Sequence, residues 1–191
     1  METALAGTVT VADVLRMDHE VIADLFRRHE GAASDRRKKV IGDRCLRKIE
    51  VHALLEEKIF YPAVRRDLGE DRLVAQALAE HAAARRIVDE LRQLPAGERY
   101  NERFRALKDI LFTHIDEEET VLLPRVEKSD MDIEQLGAQL LEKKRRIASG
   151  IVEEPGERSF AAAAVAAVVL AGAVALLAAG FNSRRRASLP G

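Results

Sequence analysis

One pattern occurs twice in this chain, 62 residues apart, and it limits the fold more than any other feature. The first copy is His19, then His52-x3-Glu56 followed by Pro62; the second is His81, then His114-x3-Glu118 followed by Pro124. Four of the five histidines fall into it, and the interval from lone to paired histidine is 33 residues in both copies. Neighbours repeat as well: an acid precedes each lone histidine (Asp18, Glu80), a second glutamate follows the first (Glu57, Glu119), and Ile59 matches Val121. Residues four apart on an α-helix lie one above the other, so His52 and Glu56 aim at a common point, as do His114 and Glu118. The pattern predicts a duplicated helical hairpin in which histidines and carboxylates converge.

Each histidine sits within an apolar stripe. Val11, Leu15, Ile22 and Phe26 flank His19; Cys45, Ile49 and Ile59 flank His52; Val74, Leu78, Val88 and Leu91 flank His81; Leu107, Leu111 and Val121 flank His114. A single histidine so placed is ordinarily a core residue bonded to a carbonyl. Four of them in register are a different matter, because an unpaired buried polar group costs on the order of 1–3 kcal/mol. A metal satisfies all of them together. Imidazole suits Fe, Zn, Cu and Ni, and a carboxylate can bridge two ions. His19, His52, Glu56, His81, His114 and Glu118 therefore make the inventory of a binuclear site.

The remaining sequence accommodates that reading. Few aromatics, no Trp and abundant Ala, Leu, Glu and Arg favour an all-α fold, with one domain and an additional segment in 191 residues. A net charge of −1 gives no electrostatic case for nucleic acid. The lone Cys45 excludes an internal disulfide and reads as a small core residue. Helix 1 is expected from Thr10, an N-cap with Asp13 at the third position, to Gly31, and helix 2 from Ser34 or Asp35 to Tyr61. There Pro62 kinks it or begins a short tail ending at Leu68-Gly69. Helix 3 is expected over about Glu70 to Leu94 and helix 4 from about Asn101 towards Lys128, disturbed at Pro124. Short connections make an up-down-up-down four-helix bundle with a site in its core. A short fifth helix, about Asp132 to Ala148, carries Ile133, Leu136, Leu140 and Leu141 on one side.

After the linker within residues 129–159 comes a stretch of a different kind. Phe160 to Phe181 is 22 residues without a charge or hydrogen-bonding side chain, followed by a basic tail, 182–191, with Arg184, Arg185 and Arg186. As a helix it reaches about 33 Å, against a hydrocarbon core of about 30 Å. It is expected to be a transmembrane helix, a single-pass C-terminal anchor, although eleven of its residues are Ala. Ala163, Ala167, Ala171, Ala175 and Ala179 form a small-residue stripe suited to self-association in the membrane. Arginines and lysines lie on both sides of the span, so charge does not orient it. The lack of a signal peptide favours a cytoplasmic bundle.

Asp18-His19-Glu20, His52-Ala53-Leu54-Leu55-Glu56-Glu57 through Phe60-Tyr61-Pro62, Glu80-His81, and His114-Ile115-Asp116-Glu117-Glu118-Glu119 through Leu123-Pro124 resemble the hemerythrin-like, or HHE cation-binding, domain over residues 10–128. That resemblance implies a four-helix bundle holding two Fe ions in a non-haem, oxo- or hydroxo-bridged centre. His19, His52, Glu56, His81, His114 and Glu118 would be its ligands and the two glutamates its bridges. It implies binding or sensing of O2 or iron, or alternatively an enzyme removing peroxide or nitric oxide; a structural Zn-binding scaffold is a third reading. The ferritin-like alternative needs Glu-x-x-His on two helices, which the chain lacks. The oxygen carriers of the family have a second histidine one turn from the helix 3 ligand, where this chain has Ala77 and Arg85. Water, Glu57, Glu119, or Tyr61 if Pro62 unwinds the end of helix 2, could supply an oxygen ligand instead. His29, ten residues from His19, is expected at the surface near a helix end.

Overall fold

The computed structural model describes residues 8–150, which contain helices and no strand. The chain runs α1 (Val11–Glu30), α2 (Asp35–Leu55), a π turn over Glu56–Phe60, α3 (Tyr61–Leu68), α4 (Asp71–Gln93), α5 (Glu98–Glu117), a second π turn over Glu118–Leu122, α6 (Leu123–Glu127) and α7 (Ile133–Ala148). The second and fourth arms of the bundle are thus each a long helix, a wide turn and a short helical tail. α1 packs on α2, α4 on α5, and α2 also on α5, which gives a helical bundle with α7 laid against α1.

Local chemistry sets the helix ends. At the start of α1 the Asp13 amide donates to Thr10 Oγ1 at 3.2 Å and the Thr10 amide donates to Asp13 Oδ2 at 2.9 Å, a reciprocal cap. Ser34 and Asp132 cap α2 and α7 through the amides of Arg37 and Gln135. Gly69, at φ 66°, takes the left-handed conformation that ends α3.

The apolar side chains form two clusters. One gathers Leu15, Leu55, Phe60, Val64, Val74, Leu123 and Leu140; the other gathers Ile22, Phe26, Cys45, Leu46, Leu91, Phe104 and Leu107. His19 lies in sequence between Leu15 and Ile22, and His52 between Ile49 and Leu55, so the buried histidines form a polar layer between the clusters. Burying each large side chain stabilises the fold by roughly 1.5–3 kcal/mol, and this packing holds the polar layer in place.

Pro62 begins the expected short tail, α3, which ends at Leu68 before Gly69, and Pro124 likewise sits at the start of α6; each tail follows a π turn. Three details differ from the expectations. The π turns interrupt the 3.6-residue period, so Val121, assigned to the stripe of His114, is 37% exposed, while Leu122 and Leu123 are buried. Leu141 is likewise exposed, and α7 buries Leu136, Gly137, Leu140 and Ile147. His29 is buried rather than on the surface, its ring 4.2 Å from that of Phe104. Among the described residues no helix is long and apolar enough to cross a membrane. The transmembrane helix expected over 160–181 lies outside them.

Candidate metal centre

All six residues singled out in the repeat meet in the polar layer, and all six are buried. They form two groups that share Glu56: His19, His52, Glu56 and Glu118 on one side, and Glu56, His81 and His114 on the other. Glu56 Oε1 lies 3.2 Å from His52 Nε2, and Glu56 Oε2 lies 3.3 Å from His81 Nε2. Each oxygen of one carboxylate thus faces a different half of the site. Glu118 Oε2 lies between His19 Nε2 at 3.5 Å and His114 Nε2 at 3.7 Å. The two glutamates are the first residues of the two π turns, where i→i+5 bonding widens the helix beside the site.

Carboxylates also stand behind the histidines. Glu119 Oε1 is 2.7 Å from His19 Nδ1, Glu57 Oε1 is 2.8 Å from His81 Nδ1, and Glu80 Oε2 is 3.0 Å from His114 Nδ1. Asp18 Oδ2 faces His52 Nδ1 at a longer 3.8 Å. The pairing obeys the 62-residue offset: Glu119 on His19 maps onto Glu57 on His81, and Asp18 on His52 maps onto Glu80 on His114. Carboxylates in this position fix the imidazole tautomer and turn Nε2 inward. Glu57 and Glu119, weighed as inward oxygen ligands, instead orient the histidines, and Glu57 is itself paired with Arg85.

Tyr61 breaks the symmetry. A regular helix puts it on the face opposite His52, but the π turn between them takes up an extra residue and rotates it inward. Its hydroxyl donates to Glu118 Oε1 at 2.8 Å and lies 3.5 Å from His81 Nε2. Its counterpart in the second copy is Leu123. The local unwinding that turns it inward is the π turn before Tyr61; two prolines in register, each six residues after a glutamate of the repeat, are the signal that could have located the turns.

The electrostatics fit a site built for positive charge. Burial opposes the charged form of both carboxylates. At Glu56 it prevails, reinforced by the charge of Glu118, and holds the carboxyl well above the usual range. At Glu118 the nearby imidazole of His19 and the charge of His114 outweigh burial and pull it below. Burial holds His52 at about 4 and also lowers His81, so these two imidazoles are neutral near pH 7, while at His19 and His114 the neighbouring carboxylates outweigh burial and raise the value. Burial and the charges of Glu118 and Glu56 push the Tyr61 phenol well up. Burial likewise pushes the Cys45 thiol to about 12, away from this chemistry.

His19 Nε2, His52 Nε2, both oxygens of Glu56 and Glu118 Oε2 are buried without a hydrogen-bond partner. Five orphaned acceptors or donors at one point are expensive unless a cation satisfies them. The donor set of imidazole nitrogens and carboxylates, in two groups that share Glu56, fits transition-metal ions. Beside it, Leu73, Ala77, Glu80, His114, Glu117, Glu118 and Leu122 line a cleft of about 20 Å³, room for one molecule of the size of water.

Comparison with known proteins agrees with this architecture. The crystal structure of a hemerythrin HHE cation binding domain-containing protein from Mycobacterium kansasii, a homolog of Rv2633c, superposes with a TM-score of 0.65 at 26% identity, over 80% of this chain and 97% of that one. Rv2633c itself, an uncharacterized protein of Mycobacterium tuberculosis, is 27% identical over 136 residues, covering 67% of this chain and 81% of its own. A DNA nickase of Nostoc sp. is 25% identical over 128 residues, 66% of this chain, and the chain spans only 36% of that protein's length. The sequence pattern of the Hemerythrin HHE cation binding domain matches residues 10–126, and the chain belongs to that family.

Proposed function

We propose that the polar layer holds a non-haem di-iron centre, ligated by His19, His52, Glu56, His81, His114 and Glu118, that binds or senses O2 or iron. The observation that carries this reading is the sharing of Glu56, whose two oxygens face His52 and His81 at 3.2 and 3.3 Å. Bound iron would supply one-electron redox chemistry and a Lewis-acid position for a small oxygen- or nitrogen-containing molecule. The chain's own residues do the rest. The carboxylates behind the histidines hold Nε2 inward, the apolar clusters on either side exclude water, and the cleft beside His114 limits what enters to very small molecules.

A specific observation favours the second reading, an enzyme that removes peroxide or nitric oxide. Tyr61 offers a phenol oxygen 3.5 Å from His81 Nε2, and hard oxygen donors favour the oxidised metal over reversible O2 carriage. Tyr61 also holds a proton 2.8 Å from Glu118, at the wall of the cleft. In this proposal residues 160–181 anchor the bundle to a membrane as a single C-terminal span with the bundle on the cytoplasmic side.

Metal analysis with an optical spectrum, on chain purified from iron-grown cells and exposed to O2 and peroxide, tests the reading. About two irons per chain with a charge-transfer band is the expected result. A stoichiometric spectral change then marks binding or sensing, and a sustained rate marks an enzyme. Zinc, which is d10 and colourless, would make the site structural.

A further inference from the structure

Three of the four histidines in the layer are backed closely, at 2.7, 2.8 and 3.0 Å, and one is not. Asp18 Oδ2 stands 3.8 Å from His52 Nδ1, beyond hydrogen-bonding range, and both atoms are buried without a hydrogen bond. This acid differs from the other three in two ways: it is an aspartate, one methylene shorter than Glu57, Glu80 and Glu119, and a cation holds its far oxygen, Lys144 of α7 donating to Asp18 Oδ1 at 2.6 Å, whereas Arg85 meets Glu57 on the oxygen that backs His81. The equivalent acid in the second copy, Glu80, receives the neutral amide of Gln76 at 3.3 Å and keeps its contact with His114.

Lys144 belongs to the helix that lies outside the duplicated pattern. α7 has a firm seat from which to act, because Gly137 allows its backbone to meet that of Val9, Thr10 and Val11; a Cβ at 137 would stand 2.5 Å from the Val9 carbonyl oxygen. Lys144 and Asp18 are largely screened from solvent, at 27% and 13% side-chain exposure, so the pair is more than a surface contact.

We infer that Lys144 is a positioning residue for His52: it draws Asp18 away from the imidazole and so makes the two halves of a duplicated site unequal. The inference rests on the metal-centre reading above. A carboxylate that accepts the Nδ1 proton raises the donor strength of Nε2. Holding Asp18 back weakens His52 as a donor, which makes the His52 side of the centre easier to reduce. α7 thereby becomes an input to the site, because any displacement of it changes what Lys144 does to Asp18.

The test uses the full chain with Lys144→Met, Lys144→Arg, Asp18→Asn and the Lys144→Met/Asp18→Asn double variant. In the metal-free chain, ring NMR of His52 should show its Nδ1 proton moving downfield in Lys144→Met, towards the positions of His19, His81 and His114, and staying in place in Lys144→Arg. In the iron-loaded chain, Lys144→Met should lower the reduction potential with iron content unchanged, Lys144→Arg should restore it, and the double variant should match Asp18→Asn alone. An unmoved His52 resonance or potential in Lys144→Met overturns the inference, as does a loss of thermal stability alone or simple additivity in the double variant. A chain that takes up no iron sinks the metal-centre reading, and the His52 resonance then decides the inference without it.

Discussion

The Tyr61 hydroxyl donates to Glu118 Oε1 at 2.8 Å across the centre of the bundle, from a position that a regular α-helix would turn away from the site. Leu123, its counterpart in the repeat, contributes only apolar packing. One duplicated scaffold thus carries a phenol in one half and a hydrocarbon in the other, at the point where the two metal positions would be told apart.

Tyr61→Phe keeps the ring and removes this oxygen. Glu118 Oε1 then loses its donor inside the core, which costs about 1–3 kcal/mol in the metal-free chain. Iron content should persist, since the four histidines and two glutamates remain, but the visible spectrum of the oxidised centre should change and any peroxide turnover should fall. Metal analysis, spectroscopy and rate measurement on one preparation check this. An unchanged spectrum would place Tyr61 outside the ligand sphere.

The histidines and the acids behind them should separate by magnitude. His52→Ala removes a ligand atom and should lose most bound metal while the chain stays helical by circular dichroism. Glu119→Gln leaves His19 in place but replaces the carboxylate 2.7 Å from its Nδ1. Loss of such a backing group weakens metal affinity by about 10–100-fold. Competition against a chelator measures both, and equal losses would show that Glu119 is itself a ligand.

How much of this was legible in the sequence depends on the kind of signal. The duplicated spacing located Glu56, Glu118 and the four histidines, because i,i+4 geometry brings His52 to Glu56 and His114 to Glu118 whatever the details of packing. Thr10, Asp13, Ser34 and Gly69 marked helix ends because capping is a local interaction. The π turns were not legible. They depend on the bundle tolerating an extra residue at Glu56–Phe60 and Glu118–Leu122, and a pattern read at 3.6 residues per turn placed Val121 inward and Tyr61 outward. The roles of Glu57 and Glu119 were hidden for a related reason, since each backs a histidine on another helix. The burial of His29 by Phe104 and Tyr100 is also a tertiary contact that helix periodicity does not show.

His29 should make the fold sensitive to acid. Burial, aided by the charge of Lys38, lowers its pKa from 6.5 to about 4. Between those values the unfolded chain takes up a proton that folded His29 refuses, so stability rises with pH in that window and is lost as pH falls through it. Denaturant unfolding of the metal-free chain and of His29→Leu at pH 7, 6, 5 and 4 isolates the effect from that of the site histidines. The difference between the two proteins should shift in favour of the variant as pH falls. A difference that stays constant would mean that His29 accepts its proton in the folded state.

Gly137 offers a separate test of whether α7 is an independent layer. A methyl group there would stand 2.5 Å from Val9 O, 2.7 Å from Thr10 C and 2.9 Å from Val11 N, all backbone atoms that cannot rotate aside. Gly137→Ala gains about 0.5–1 kcal/mol of helix propensity, yet overpacking of this kind costs about 1–3 kcal/mol, so the clash should win and lift α7 from α1. Hydrogen exchange should then quicken at Leu136, Leu140 and Ile147, while α2, α4 and α5, which carry His52, His81 and His114, remain protected. If exchange quickens equally through all the helices, α7 is part of the cooperative core, and the bundle does not hold its site together without it.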